Sequence, residues 1–160
     1  MGRVAVAVLL LVPAAAAAAP LSLQLGLGSG IGWARRSGMY RDDDVLTLRI
    51  GMAIGRRATI DFGISEDAER IEPAFRLGGR WRPFWSGRWS AYLRGELAFV
   101  GGSHLGSNYD LLVGVGHFWR LSPWLAAFVE TDVVSRTGEV GTLSNRFEAG
   151  LTLTAPTFWR

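Results

Sequence analysis

The feature that most constrains this chain is an alternation of apolar and polar residues with a period of two. In the second alternating segment Leu46, Leu48 and Ile50 share one parity, whereas Thr47 and Arg49 share the other. Successive side chains of a β-strand point to opposite faces of the sheet, so this pattern predicts strands with one apolar and one polar face. Eight such segments follow residue 20, and the spacing of an amphipathic helix is not found among them.

The connections between the eight segments alternate in length. Residues 55–57, 85–88 and 120–123 are tight turns with Gly, Ser or Pro, and the longer, more polar connections are residues 34–44, 66–71, 101–108 and 135–144. An even number of antiparallel strands can close into a barrel, and short turns on one side with longer loops on the other are typical of outer-membrane barrels. The sequence therefore predicts an all-β fold, an eight-stranded antiparallel up-and-down transmembrane β-barrel.

The N-terminus has the features of a secretory signal. A positively charged start, an apolar run at residues 4–12 and an alanine-rich stretch at residues 14–19 follow in the order of a signal peptide. The apolar run is short for a membrane-spanning helix, which needs about 20 residues; a retained anchor is the alternative. Pro20 disfavours cleavage after Ala19, so we expect a cleaved signal peptide over residues 1–18 and one barrel domain over residues 20–160.

Alternation alone does not decide which face is outside, because a soluble lipocalin-type barrel would bury the apolar parity. Charges of both signs collect on the polar parity, and the apolar parity has none at the strand centres. Ten glycines also lie on the polar parity, where they leave room in a narrow interior. Tryptophans gather at strand ends, as in a girdle at the bilayer interface: Trp33, Trp81, Trp85, Trp89, Trp119, Trp124 and Trp159. These features favour lipid on the apolar side.

The polar parity predicts an ion network in the lumen. An eight-stranded barrel is just wide enough for side chains to fill it, and an isolated charge in such a place costs several kcal/mol. We therefore expect a plugged lumen with five Arg and seven acids; a gated or proton-conducting path is the alternative. The predicted lumen residues are Arg49, Asp61, Glu72, Arg76, Arg80, Arg94, Glu96, Asp110, Glu130, Asp132, Arg146 and Glu148.

Composition excludes several other classes of site. The chain has no Cys, so disulfides, a lipid-modified cysteine and cysteine metal clusters are excluded. His117 lies near Trp119 without a second ligand at metal-site spacing, so we expect no metal and no cofactor. The chain lacks a charge run or an aromatic-basic patch that would indicate binding of nucleic acid. Its 17 basic residues, apart from the two histidines, are all Arg, and Lys is absent.

The C-terminal segment adds a further sign. Leu151, Leu153, Ala155, Thr157 and Trp159 share one parity and end on an aromatic, although Pro156 and Arg160 depart from the pattern. Here the chain resembles the small eight-stranded outer-membrane barrels of the OmpA transmembrane-domain and OmpX type. The resemblance covers the whole mature chain, and it implies that the barrel-assembly machinery reads this strand. We expect a monomer in the outer membrane of a Gram-negative bacterium, among lipids that include lipopolysaccharide, with short turns and both mature termini in the periplasm.

Three classes of function remain open. A structural or stabilising barrel is favoured, followed by a surface binding module acting through its outer loops, of which residues 35–44 are the best candidate. A narrow channel or a lipid A-modifying enzyme comes last. Polar residues for such an enzyme lie in two outer loops: His104, Ser103, Ser107, Glu139 and Ser144. Lipid A deacylases of the PagL kind use a histidine and a serine two apart, whereas His104 and Ser107 are three apart, so we expect no enzyme.

The two ends of the barrel differ in charge. The proposed periplasmic turns and the C-terminus carry basic residues without an acid among them: Arg56, Arg57, Arg82, Arg88, Arg120 and Arg160. These turns are either simply solvated, or they contact inner-leaflet phosphates or an anionic periplasmic partner.

Overall fold

A computed structural model of the protein describes residues 21–34, 38–54, 57–67, 73–100, 108–136 and 142–154. The predicted signal peptide lies outside the described residues. The eight strands are β1 (Leu21–Ala34), β2 (Gly38–Ile54), β3 (Ala58–Asp67), β4 (Pro73–Ser86), β5 (Trp89–Val100), β6 (Asn108–Arg120), β7 (Leu125–Arg136) and β8 (Thr142–Thr154).

The strands form one closed barrel in chain order, and every neighbouring pair is antiparallel. Closure is made by β1 and β8, which pair from Ser22 opposite Thr154 to Ala34 opposite Thr142. Closure gives every strand a neighbour on each side, so the sheet has no edge strand. The predicted all-β, eight-stranded antiparallel barrel is confirmed.

The polarity of the barrel is the reverse of that of a water-soluble protein. Among the described residues, 20 polar or charged side chains are buried against nine apolar ones, and 29 large apolar side chains are exposed. The apolar parity therefore forms the outer wall, and the polar parity fills the interior. Such a wall fits a hydrocarbon solvent, in which strands alternate apolar-out and polar-in. No helix in the described ranges is both long and apolar enough to cross a bilayer.

Strands β2 and β4 extend further than the sequence predicts. β2 begins at Gly38, which pairs with Ala34, so the connection expected over residues 34–44 shrinks to residues 35–37. The β1–β2 register shifts between Gly28, opposite Val45, and Gly30, opposite Asp42, so β2 contains one residue more than β1 at this point. β4 continues past Trp81 to Ser86 through a register shift, and the turn that follows is short. In both places backbone pairing with the neighbouring strand outweighs the low strand propensity of the residues.

Candidate functional site

A buried carboxylate on β7, Glu130, is the hub of the interior ion network and is 2 % exposed. Its oxygens accept hydrogen bonds from Arg49 Nη1, at 2.9 and 3.1 Å, and from the Tyr92 hydroxyl, at 2.7 Å. Arg94 Nη1 donates to Oε2 of the hub, and Gln24 Nε2 donates to Oε1 at 3.4 Å. Donors from β1, β2 and β5 thus converge on one carboxylate of β7.

The two arginines that contact the hub each bind further carboxylates. Arg94 donates from Nη2 to Glu96 Oε2 at 2.6 Å and from Nη1 to Asp132 Oδ2 at 2.9 Å. Arg49 donates from Nη2 to Glu148 Oε2 at 2.5 Å, and its Nε lies 3.7 Å from Glu96 Oε2. Each of these guanidinium groups therefore faces three carboxylates, which offsets the cost of removing the charges from water.

Arg76 extends the network to the β3–β4 side of the wall. Its Nη1 lies 3.1 Å from Glu96 Oε1 and 3.9 Å from Glu148 Oε2. Its Nε donates to Ser65 Oγ at 2.8 Å. Glu96 and Glu148 are thereby shared between arginines, so the charges form one connected cluster and not a set of separate pairs.

A second ion pair adjoins this cluster. Arg80 donates from Nε and Nη2 to the two carboxylate oxygens of Asp61, at 2.7 and 2.5 Å, in a bidentate arrangement. The Arg80 Cζ also lies 5.7 Å from the ring centroid of Tyr92 and 5.3 Å from that of Phe118. Tyr92 therefore links the two units, because its hydroxyl binds Glu130 while its ring faces Arg80.

Apolar layers close the network at both ends. Towards the short turns, Tyr92 and Phe118 pack with ring centroids 4.6 Å apart, and Phe128 lies 6.3 Å from Phe118. Towards the long connections, Ala98, Leu112 and Val134 form a second buried cluster. The lumen of the described barrel is thus filled by side chains: an aromatic layer, an ion network and an aliphatic layer.

Glycines on the polar parity provide the space for these large side chains. Gly116 lies opposite Tyr92 in the β5–β6 register, and a Cβ at Gly116 would overlap the tyrosine ring. A Cβ at Gly51 would lie 2.6 Å from Asp61 Oδ1 and 2.7 Å from Arg80 Nη2. The glycines that the sequence places on the polar parity therefore leave the space that the large charged and aromatic side chains of the lumen occupy.

Most of the predicted lumen residues lie within this filling. The buried ones are Arg49, Asp61, Arg76, Arg80, Arg94, Glu96, Glu130, Asp132, Arg146 and Glu148. Arg146 lies opposite Asp132 in the β7–β8 register. Asp110 is half-buried on β6, beyond the aliphatic layer, and Glu72 lies outside the described residues.

The assignment of Arg82 to an exposed turn is wrong. Arg82 is 2 % exposed on the extended part of β4, and its backbone N–H donates to Arg57 O at 2.8 Å. Its parity in the sequence is that of Arg76 and Arg80, which is the signal that identifies it. In the described part of the chain, six buried arginines face five buried carboxylates. The excess of two carboxylates expected from the sequence is therefore not present there.

Three neutral residues of the network were not predicted as site residues: Gln24, Ser65 and Tyr92. All three share the parity of the lumen charges, and this parity is the signal that could have found them. The prediction considers only charged residues on this parity, whereas a barrel interior also contains neutral donors that complete the hydrogen bonding of a carboxylate.

The predicted aromatic girdle is only partly within the described residues. Trp81, Trp89, Trp119 and Trp124 are 45–56 % exposed near the short turns. Trp33 and Trp85 belong to β1 and β4, but their side chains are outside the description, as is Trp159. A role of these residues at a bilayer interface stays a prediction.

The polar residues considered for a lipid-active enzyme are not brought together in the described structure. His104, Ser103, Ser107 and Glu139 lie outside the described residues. Ser144, expected in a loop, is instead 2 % exposed on β8, opposite Val134. That expectation is wrong because β8 begins earlier, at Thr142.

Three buried carboxylates, Glu130, Asp132 and Glu148, have ligand oxygens within 4.8 Å of one another. This spacing would fit a cation. However, the guanidinium groups of Arg49 and Arg94 donate to these same carboxylates and supply the compensating positive charge. The arrangement is therefore that of an ion network and not of an open ligand set.

No protein-family model and no curated protein matches the chain in sequence. Among solved structures, it is similar to the N-terminal β-barrel domain of Pseudomonas aeruginosa OprF, with 13 % identity, a TM-score of 0.58, and coverage of 82 % of this chain and 97 % of that one. It is also similar to Neisserial surface protein A, with 14 % identity, a TM-score of 0.56, and coverage of 83 % and 96 %. A third similar structure is that of Ail, the attachment invasion locus protein of Yersinia pestis, with 9 % identity, a TM-score of 0.55, and coverage of 85 % of this chain and 98 % of that one. At these identities the likeness concerns the fold, and the chain has the fold of the small eight-stranded outer-membrane β-barrels.

Proposed function

We propose that the protein is a structural barrel of the bacterial outer membrane, which stabilises the membrane and does not conduct. The observation that carries this proposal is the buried ion network around Glu130 between two apolar layers. Opening such a lumen would separate several buried ion pairs at once, and removing one partner from a buried pair costs about 3–5 kcal/mol. The interior therefore acts as a plug that rigidifies the wall.

The orientation belongs to this proposal. The described residues expose 29 large apolar side chains, most of them on the wall, which require a hydrocarbon solvent. The short turns and both mature termini face the periplasm, and the longer connections face outwards among lipopolysaccharide. The barrel inserts through the assembly machinery and acts as a monomer without enzymatic activity or a nucleic-acid partner.

A heat-shift gel after detergent extraction tests the membrane assignment. We expect the folded barrel to migrate differently before and after boiling. Release of the protein from membranes by salt alone would contradict the assignment.

Planar-bilayer recordings test the plug. We expect the wild-type protein to add no conductance steps, whereas a variant that removes the hub and one of its donors, Glu130→Ala with Arg94→Ala, should admit water and ions. Steady conductance of the wild type would refute the plug while leaving the membrane assignment intact.

A second candidate function is surface binding at the β1–β2 connection. β1 and β2 stay paired up to Ala34 and Gly38, so residues 35–37 connect the ends of a paired hairpin. One barrel of the same fold is named for attachment and invasion, and it has been solved with a heparin analogue. Arg35 and Arg36 supply positive charge for a sulfated ligand next to the hairpin end, whereas Arg41 is followed by Asp42, Asp43 and Asp44. Replacing residues 35–37 by Gly-Ser-Gly should abolish retention on a heparin column at physiological salt, and unchanged retention would count against this function.

A further inference from the structure

Four arginines lie on the lumen face at the end of the barrel that carries the short turns: Arg57, Arg82, Arg88 and Arg120. Each shares the parity of a buried lumen residue two positions away in the chain, as Arg88 does with Ser90. Backbone hydrogen bonds continue the strand pairing to these positions, from Arg82 N–H to Arg57 O at 2.8 Å and from Arg120 N–H to Arg88 O at 2.7 Å. The alternation of the strands therefore holds up to the mouth, and it assigns all four side chains to the lumen face.

The four positions belong to neighbouring strands. Arg57 precedes β3, Arg82 is on β4, Arg88 precedes β5 and Arg120 ends β6, and these strands follow one another around the barrel. Residues directly opposite on one face of an antiparallel pair have Cβ atoms about 4.5–5.5 Å apart, which applies to Arg57 with Arg82 and to Arg88 with Arg120. Long side chains bridge larger distances in this lumen, since those of β2 and β7 meet in the ion network. The arginines of this half of the mouth are therefore within reach of one common ligand.

The rim of this mouth has positive charge without an acid to balance it. The side chains of Arg57, Arg88 and Arg120 are exposed, and none of them forms an ion pair in the described part of the chain. The three segments that contain the short turns have neither Asp nor Glu: residues 51–60, 79–95 and 114–129. Like charges at neighbouring positions on one face repel each other, and an anion bound between them removes this repulsion.

A buried hydroxyl lies beneath the exposed arginines. Ser90 is 2 % exposed on the lumen face of β5, directly opposite Phe118, and its Oγ has no hydrogen-bond partner among the described residues. On this face Ser90 and Phe118 are the next residues inward from Arg88 and Arg120. A buried polar group without a partner is costly, and an oxyanion that enters between the arginines supplies the acceptor for this hydroxyl.

We propose that Arg57, Arg88 and Arg120, together with Arg82 and Ser90 beneath them, form a binding site for a small phosphate-bearing anion. A terminal phosphate group carries close to two negative charges and three acceptor oxygens, and guanidinium groups bind such oxygens through paired N–H donors. The lumen face points away from the bilayer, so the ligand is a soluble phosphate compound and not a lipid headgroup. The lumen is just wide enough for side chains, so the mouth admits a small anion and excludes a folded protein. The proposal rests on the proposed function only for the compartment, the periplasm, that supplies the ligand.

Isothermal titration calorimetry with sodium pyrophosphate tests the site. The protein is refolded in dodecyl maltoside micelles, which carry neither phosphate nor charge, and sodium chloride keeps the ionic strength constant. We expect one pyrophosphate to bind per barrel. An exposed guanidinium contributes up to about fivefold to the affinity for an anion, so R88Q/R120Q should raise the Kd for pyrophosphate by about five- to 25-fold.

A variant of Arg57 tests whether the arginines share one ligand. Arg57 lies in a different turn from Arg88, so R57Q weakens pyrophosphate binding, by about two- to fivefold, only if the guanidinium groups converge. The matched control for charge is R35Q/R36Q, which removes two positive charges from the β1–β2 connection at the opposite end of the barrel and should leave the Kd unchanged. Absence of saturable binding by the wild type, an unchanged Kd in R88Q/R120Q or in R57Q, or an equal loss in R35Q/R36Q would each overturn the site.

A heat-shift gel of each refolded protein separates this outcome from the proposed function. Variants that keep the heat shift but bind pyrophosphate more weakly support the site. A wild type that keeps the heat shift without binding pyrophosphate refutes the site alone, whereas a wild type without a heat shift contradicts both the site and the membrane barrel.

Discussion

Substituting the hub carboxylate, Glu130→Gln, is the sharpest perturbation of the interior. The change keeps the shape of the side chain but removes its charge and replaces one acceptor oxygen with a donor. The remaining oxygen can still accept from the Tyr92 hydroxyl, which lies 2.7 Å from Oε1. The new amide N–H₂ faces a guanidinium group. Two hydrogen-bond donors then face each other, and the charge-assisted hydrogen bond between guanidinium and carboxylate is lost.

The expected magnitude follows from the contacts that are lost. Removing one partner of a buried ion pair costs about 3–5 kcal/mol, because the other charge is left uncompensated. Here the loss is moderated, since Arg49 keeps Glu148 at 2.5 Å and Arg94 keeps Glu96 at 2.6 Å. We therefore expect the free energy of unfolding to fall by about 3 kcal/mol, at the lower end of that range. This is a large part of a typical total of about 5–15 kcal/mol.

Urea unfolding of the barrel refolded in lipid vesicles, followed by tryptophan fluorescence, measures the effect. The denaturation midpoint should fall while the slope stays constant, because the surface exposed on unfolding is unchanged. The control is Glu66→Gln on β3, a half-buried glutamate outside the ion network, for which we expect a change below about 0.5 kcal/mol. A loss below about 1 kcal/mol for Glu130→Gln would refute the view that the network holds the interior together.

Three further predictions use the same unfolding assay. Gly116→Ala places a Cβ in the Tyr92 ring and should cost about 1–3 kcal/mol, whereas Gly95→Ala, whose Cβ would have no neighbour within 4 Å, should be nearly neutral; equal effects would contradict the packing argument. Tyr92→Phe removes one hydrogen bond to the hub carboxylate and should cost about 1.5–3 kcal/mol, and a neutral result would exclude Tyr92 from the network. Val113→Arg on the outer wall should cost about 2–4 kcal/mol if it faces the bilayer centre, against about 0–1 kcal/mol for Leu121→Arg at the rim; similar costs would argue against a lipid-facing wall.

The alternation in the sequence predicts the two faces of the barrel wall well, because the face to which a side chain points depends only on its position in its own strand. Parity places Arg49, Arg94 and Glu130 on one face, since a strand turns every second side chain to the same side, and the charges and glycines collected on that face assign it to the interior. Length was less predictable: β2 and β4 run further than their turn-like residues suggest, because pairing with a neighbouring strand supplies hydrogen bonds that local propensity ignores. For this reason the sequence predicts a turn at Arg82, although its parity is that of the lumen.

By itself the sequence determined the strand number, the two faces, and the coexistence of charges and glycines on one of them. Only the tertiary structure decided which charges meet. Arg49 and Glu130 are 81 residues apart and contact each other because closure between β1 and β8 brings β2 and β7 around the same lumen. The pairing of β5 with β6 likewise brings the backbone of Arg88 next to that of Arg120 at the rim. Parity is a property of one strand, whereas these pairings depend on the registers of all eight, which the barrel fixes together.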